Sequence, residues 1–211
     1  AFRGHDENEL VDDVVKKQFD SLLGGVAWTV LTQAIVAVYV QALQRRGSAP
    51  RVVDCRRINI VVRYLQRHKH CLFYPRLVGD FVRLLGFTDS AFKAQENEGS
   101  GLALRGLAIL LAQEAEDLER IRAAGVTITV NLFEWLVRRL RRVVRSTFAA
   151  ELNALIDSIE TLVLVQLTLH QVYCGTHESA EQLLIKLEHG SLYPPIDLFV
   201  DAKSVSDAVA A

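Results

Sequence analysis

The apolar residues of this chain change their period once, near Arg83, and that change restricts the fold to a helical segment followed by an α/β unit. Upstream, residues 17 to 75 read as helices broken at Gly47-Ser48-Ala49-Pro50, and Ile58, Val61, Val62 and Leu65 fall on one helical face. Downstream, three short apolar or β-branched runs follow one another: Leu84 to Phe87, Gly101 to Ala112, and Val126 to Trp135. A long helical stripe then occupies Thr147 to about Tyr173, with Leu152, Leu155, Ile156, Ile159, Leu162 and Val163 on the face that would lie on a sheet. After a polar insertion from Gly175 to Ser191, Pro194-Pro195 introduces a fourth strand at Ile196 to Val200, and Lys203 to Ala210 starts a further helix. Three strands, a long helix and a fourth strand predict an α/β unit in which the helix lies on a sheet. Residues 1 to 16 read as a polar leader.

Composition narrows the classes of function. The 211 residues carry 24 basic and 25 acidic side chains, so no global field draws the chain to a polyanion, and any nucleic-acid surface is local. Three cysteines without a Cys-x-x-Cys pair exclude a zinc ribbon and a disulfide scaffold, and a reducing compartment is the simpler reading. The sequence contains no methionine, and its helix-like pattern runs to Ala211, so we read it as a segment of a longer chain. Leu22 to Leu43 is free of charge and long enough for a membrane span, but Gly24, Gly25, Thr29, Thr32, Gln33 and Gln41 favour a buried core helix. The acidic first fifteen residues do not resemble a signal peptide.

Three carboxylates fall where strand ends and a helix start can converge. Asp89 follows the first run, Glu151 lies in the first turns of the long helix, and Asp201 ends the fourth strand. Such a cluster of acceptor-only oxygens suits Mg²⁺ or Mn²⁺, as two-metal phosphodiester hydrolysis requires. Spacing alone leaves capping or solvated carboxylates as the competing reading.

The local wording favours the site. Gly86-Phe87-Thr88-Asp89-Ser90-Ala91-Phe92 resembles the Gly-Tyr-Ser-Asp-Ala-Asp-Trp segment of copia-type retrotransposon polyproteins. Trp135 followed by basic residues, Val143, and Ser146-Thr147-Phe148-Ala149-Ala150-Glu151-Leu152 is similar to that family's Trp-Ser-Ser-Lys-Arg…Val…Ser-Ser-x-x-Ala-Glu run, with the same spacing of sixteen from Trp to Glu. Asp197 to Ser204 resembles its Asp-Asn-x-Ser strand end, and Val61-Val62-Arg63-Tyr64-Leu65 resembles its Leu-Arg-Tyr-Leu helix. The resemblance runs in order from about residue 20 to 210. It implies the C-terminal part of a reverse transcriptase: thumb and connection helices at 17–81, then an α/β ribonuclease H-like mixed sheet with flanking helices at 82–211. In that family the domain hydrolyses the RNA strand of RNA–DNA hybrids, leaving a 3′-hydroxyl and a 5′-phosphate without a covalent enzyme intermediate. Carried over, Asp89, Glu151 and Asp201 are the catalytic and metal-binding residues, Mg²⁺ or Mn²⁺ is the cofactor, and the partners are the hybrid and the polymerase and integrase regions of the polyprotein. The family implies an intracellular location, cytoplasmic or nuclear, and no membrane.

Departures from the family are also plain. The Thr-Arg-Pro-Asp and Tyr-Val-Asp-Asp signatures are missing, Ala202 stands where the family has Asn, and Gly175 to Ser191 lengthens the gap between Glu151 and Asp201 to fifty residues. The family's further catalytic acid or histidine falls beyond Ala211, so 82–211 is read as truncated at its C-terminus. The alternatives are a silent or decayed element that only binds nucleic acid, and a helical interaction module.

Arg138, Arg139, Arg141, Arg142 and Arg145 place five cations in eight residues and are the candidate nucleic-acid contact. Their spacing also fits a helix, but we read Trp135 to Arg145 as a strand end and loop. Arg56, Arg57, Arg63, Arg67, His68, Lys69 and His70 form a second, weaker basic surface. His68, His70 and Cys71 have no second ligand pair for zinc. His170 and His177 read as surface histidines, Cys174 as a thiol without a base partner, and Trp28 and Trp135 as core or edge aromatics.

Overall fold

A computed structural model of the chain describes residues 4, 6–69, 72–77, 81–91, 103–113, 128–175 and 178–210. The chain divides into two compact units, Ala1–Leu72 and Phe73–Ala211.

The first unit is helical. Asp12 caps α1 (Asp13–Thr29) by accepting the Val15 N–H at 2.7 Å, which satisfies one of the amides that a helix start leaves open. A 3₁₀ turn at Ala34–Val36 leads into α2 (Ala37–Gln44), and α3 spans Val52–Arg67. Asp54 is buried, yet it accepts the Arg51 N–H at 3.0 Å and faces Arg57 at 3.6 Å. Phe19, Leu23, Val26, Val40, Leu43, Cys55, Ile58 and Val61 close one core between the three helices.

The segment before α1 is tied to this unit: the Val52 and Val53 amides donate to Glu9 and Glu7 carbonyls at 3.0 Å, and Arg56 pairs with Glu7. Two expectations are corrected in this unit. The charge-free stretch Leu22 to Leu43 is not one helix, because α1 stops at Thr29 and the chain turns before Ala34. Trp28 is 75% exposed rather than packed.

The second unit is built on a four-stranded sheet ordered β3-β2-β1-β4. Strands β1 (Val82–Ala91), β2 (Leu104–Gln113) and β3 (Val130–Arg139) are antiparallel, while β4 (Ile196–Val200) joins β1 in parallel. Helix α4 (Thr147–Cys174) is capped by Ser146, whose hydroxyl accepts the Ala149 N–H at 3.1 Å. It lies on the sheet face that carries Leu84, Leu107, Ile109 and Leu111, against which it buries Leu162 and Leu169. Gly86 lets it come close, since a Cβ there would sit 2.5 Å from Leu162 Cδ1 and 2.9 Å from Leu198 Cδ1. Across the same interface the buried Ser158 hydroxyl bonds the Thr88 hydroxyl at 2.9 Å. Among the described residues α4 is the one helix long and apolar enough to cross a membrane, and its buried stripe is spent on this sheet. Helices α5 (Ala180–Glu188) and α6 (Lys203–Ala210) flank β4 in the sequence.

The fold class is thus mixed α/β with a mixed sheet and flanking helices, after a helical segment. The details shift. β1 runs on to Ala91, so Asp89 lies within the strand, two residues before its end. β3 begins at Val130 and continues to Arg139, which puts Arg138 and Arg139 on the strand and only Arg141, Arg142 and Arg145 in the loop beyond it; Val126 and Thr127 lie outside the described residues. The polar insertion holds α5, whose Ser179 and Gln182 form a reciprocal capping box.

Candidate metal centre

Each of the three carboxylates is delivered by a different element. β1 carries Asp89, the second turn of α4 carries Glu151, and Asp201 is the first residue after β4. The β1–β4 register ends at Thr88↔Val200, so the next residues on the two strands are Asp89 and Asp201. The parallel pairing itself therefore makes these two acids neighbours, and the helix packed on β1 brings the third. One ligand oxygen from each of Asp89, Glu151 and Asp201 lies within 4.8 Å of the others.

The three side chains differ in their surroundings. Asp89 and Asp201 are exposed, whereas Glu151 is 6% exposed. Burial pushes the Glu151 carboxyl above its ordinary range. The Ser90 hydroxyl and amide beside it draw it down, and the charges of Asp89 and Asp201 raise it. Among the described residues Glu151 Oε2 is buried with no hydrogen-bond partner. A buried polar atom without a partner is costly, and two further carboxylates within 4.8 Å exclude an anionic partner for it. A cation satisfies both conditions: it gives Oε2 a ligand and offsets the mutual repulsion of the three acids. The triad can hold a metal ion, and its all-oxygen donor set fits a hard divalent one.

The arginine run lies at the same end of the sheet. Register pairs place Arg138 opposite Arg105, which is opposite Ser90, and Arg139 opposite Leu104, which is opposite Ala91. Arg138, Arg139, Arg141, Arg142 and Arg145 are all exposed. The second basic surface belongs to the other unit: Arg56, Arg57, Arg63 and Arg67 lie on α3 and His68 follows it, while His70 and Cys71 lie outside the described residues.

Several polar residues were not singled out by sequence reasoning. Ser90 faces α4 by strand alternation from Thr88, a signal that period-2 reading of β1 contains. Arg105 is largely buried and approaches Asp157 of α4 at 3.4 Å. His170 is not a surface residue: it is 2% exposed, accepts the Tyr193 N–H at 3.0 Å through Nδ1, and faces Glu178 at 3.4 Å through Nε2. Cys174, read as lacking a base partner, has its Sγ 3.6 Å from the same Nδ1. Lys186 beside Glu178 holds that carboxyl below its ordinary range. His177 lies outside the described residues.

No protein-family model matches the chain, and no curated protein matches it.

Proposed function

We propose that residues 82–211 form a ribonuclease H-like domain of a copia-type retrotransposon reverse transcriptase polyprotein, which hydrolyses the RNA strand of RNA–DNA hybrids with Mg²⁺ or Mn²⁺ at Asp89, Glu151 and Asp201. The observation that carries this reading is the convergence, within 4.8 Å, of three carboxylates that are separated by 62 and 50 residues in sequence and were singled out by their places at element ends and by the wording around them. A mixed sheet with a long helix on its central strand is compatible with such a domain. Ions held by these three carboxylates would supply activation of the attacking water and stabilisation of the leaving oxygen.

The chain's own groups do the rest. Asp89 and Asp201, both exposed, would hold an ion on the solvent side, where a phosphodiester could reach it. Glu151, buried behind them, anchors the site from a helix whose first turn is capped and therefore rigid. The exposed arginines of β3 and the following loop supply local positive charge at this end of the sheet on a chain of net charge −1, and they attract the hybrid's phosphates. The helical first unit would then belong to the thumb and connection, with the polymerase and integrase regions elsewhere in the polyprotein.

The test is incubation of the 211-residue chain with an end-labelled RNA–DNA hybrid and Mg²⁺ or Mn²⁺, beside its Asp89→Asn variant. Metal-dependent RNA cleavage that the variant loses is the expected result. Cleavage that is metal-independent, or unchanged by Asp89→Asn, contradicts the reading, and hybrid binding without cleavage moves it to a silent nucleic-acid-binding element.

A further inference from the structure

Two buried polar side chains, one turn apart in the later half of α4, take one backbone group from each of three consecutive residues just before β4. Gln166 Nε2 donates to the Leu192 carbonyl at 3.3 Å and the Pro194 carbonyl at 2.8 Å. His170 Nδ1 accepts the Tyr193 N–H at 3.0 Å, and Nε2 lies 3.4 Å from Glu178 and 3.5 Å from Lys186. Both side chains are almost fully buried, at 7% and 2% exposure. The first sheet bonds follow at once: the Tyr193 hydroxyl accepts the Val82 N–H at 2.7 Å, and the Pro195 carbonyl accepts the Leu84 N–H at 2.9 Å.

Strand β4 needs such a fixing point. It has five residues, pairs among the described residues only with β1, and reaches the sheet through α5 rather than through a tight hairpin, so no turn sets its register. A slip of one residue would carry Asp201 about 3.3 Å along β1, a displacement comparable with the 4.8 Å that contains the whole site. It would also turn Leu198 out of the core against Gly86 and break the stack of Phe87 on Phe199, whose rings lie 4.9 Å apart. The sequence makes the clamp selective. Residues 194 and 195 are prolines without an N–H, so if either were drawn opposite His170 in place of Tyr193, Nδ1 would face no donor.

We propose that Gln166 and His170 are positioning residues for the metal centre: they lock β4 in its register on β1 and thereby hold Asp201 against Asp89 and Glu151. One helix then references two of the three ligands, Glu151 directly and Asp201 through the clamp. The proposal rests on reading the three carboxylates as a divalent-cation site.

The experiment titrates Mn²⁺ into the full chain and into Gln166→Met, His170→Leu, His170→Asn and Asp201→Asn, with folding checked by far-ultraviolet circular dichroism. The same samples are read by NMR for cross-peaks between the Phe87 and Phe199 rings. Gln166→Met and His170→Leu weaken Mn²⁺ binding about ten- to a hundredfold, as loss of groups that orient a ligand does, and they diminish the ring cross-peaks. His170→Asn, which keeps an acceptor where Nδ1 was, restores both. Unchanged Mn²⁺ affinity and unchanged cross-peaks in the two clamp variants overturn the proposal while leaving the metal site standing. If the unmodified chain binds no Mn²⁺, or Asp201→Asn binds as well, the metal reading itself fails and the cross-peaks alone decide the register lock. Should Gln166→Met and His170→Leu not fold, Gln166→Asn, too short to reach both carbonyls, carries the same two readouts.

Discussion

Replacing Glu151 by Gln makes the metal-free protein more stable and the metal-loaded protein less stable, a reversal of sign that few structural substitutions produce. Among the described residues Glu151 Oε2 is buried without a hydrogen-bond partner, and the ligand oxygens of Asp89 and Asp201 lie no more than 4.8 Å away. At that separation each pair of charges repels by about 0.9 kcal/mol in water and about 3.5 kcal/mol at an effective dielectric of 20. Asp89 and Asp201 are exposed, so the two pairs sit near the water end, and removing the Glu151 charge gains about 1–2 kcal/mol after screening. In a chain of 211 residues this raises the melting midpoint by about 2–8 °C, at about 2–4 °C per kcal/mol. With a divalent ion at about a hundred times its Kd, the unmodified protein instead gains about 2.7 kcal/mol that the variant does not. The pH dependence has a definite direction. Because the folded-state pKa of Glu151 is raised above its ordinary 4.5, the carboxyl contributes stability while protonated, fully below 4.5, and that contribution is lost as pH rises through the folded value. The advantage of Glu151→Gln therefore opens above pH 4.5 and closes below it. Thermal unfolding followed by circular dichroism, with chelator or Mn²⁺, checks all three statements. A metal-free Gln variant that melts at or below the parent temperature at neutral pH refutes the electrostatic reasoning.

Gly86→Ala forces a methyl against the buried Leu162 and the half-buried Leu198 and costs about 1–3 kcal/mol by overpacking, measured by urea unfolding; in combination with Leu162→Val the cost is less than the sum of the two. Ser158→Ala leaves the buried Thr88 hydroxyl without its helix partner and costs about 1–2 kcal/mol in the same assay. Replacing Arg141, Arg142 and Arg145 by Ser lowers hybrid affinity and reduces the slope of log K against log salt by about 0.9 for each phosphate that is no longer neutralised; an unchanged slope removes the loop from the interface.

The sequence made the triad legible because the residues that place it are local. Asp201 follows a five-residue run bounded by Pro194-Pro195, and Glu151 follows a Ser cap by five positions, so both element ends were marked by side chains with one strong preference. β3 was misplaced by four residues because Val126 to Val130 and Phe133 to Val137 both suit a strand, and pairing to β2, with its bulge at Ile109/Leu110, chooses between them. Helix α5 was hidden by polar composition, although Ser179-x-x-Gln182 is a helix-start signal that stood in the sequence. The burial of His170 was not readable at all. Its partners, Tyr193, Glu178 and Lys186, come from three separate segments, and only the tertiary fold brings them to one ring. Trp28 shows the opposite failure, since hydrophobicity alone does not say that a neighbour exists to cover it.

The central claim is that Asp89, Glu151 and Asp201 together bind a divalent cation, and calorimetric titration of Mn²⁺ into the full chain tests it most directly. The account predicts saturable binding that tightens as pH rises and protons leave Glu151, and that is lost in each of Asp89→Asn, Glu151→Gln and Asp201→Asn. Binding that survives all three substitutions, or no binding to the folded parent chain at neutral pH, would contradict it.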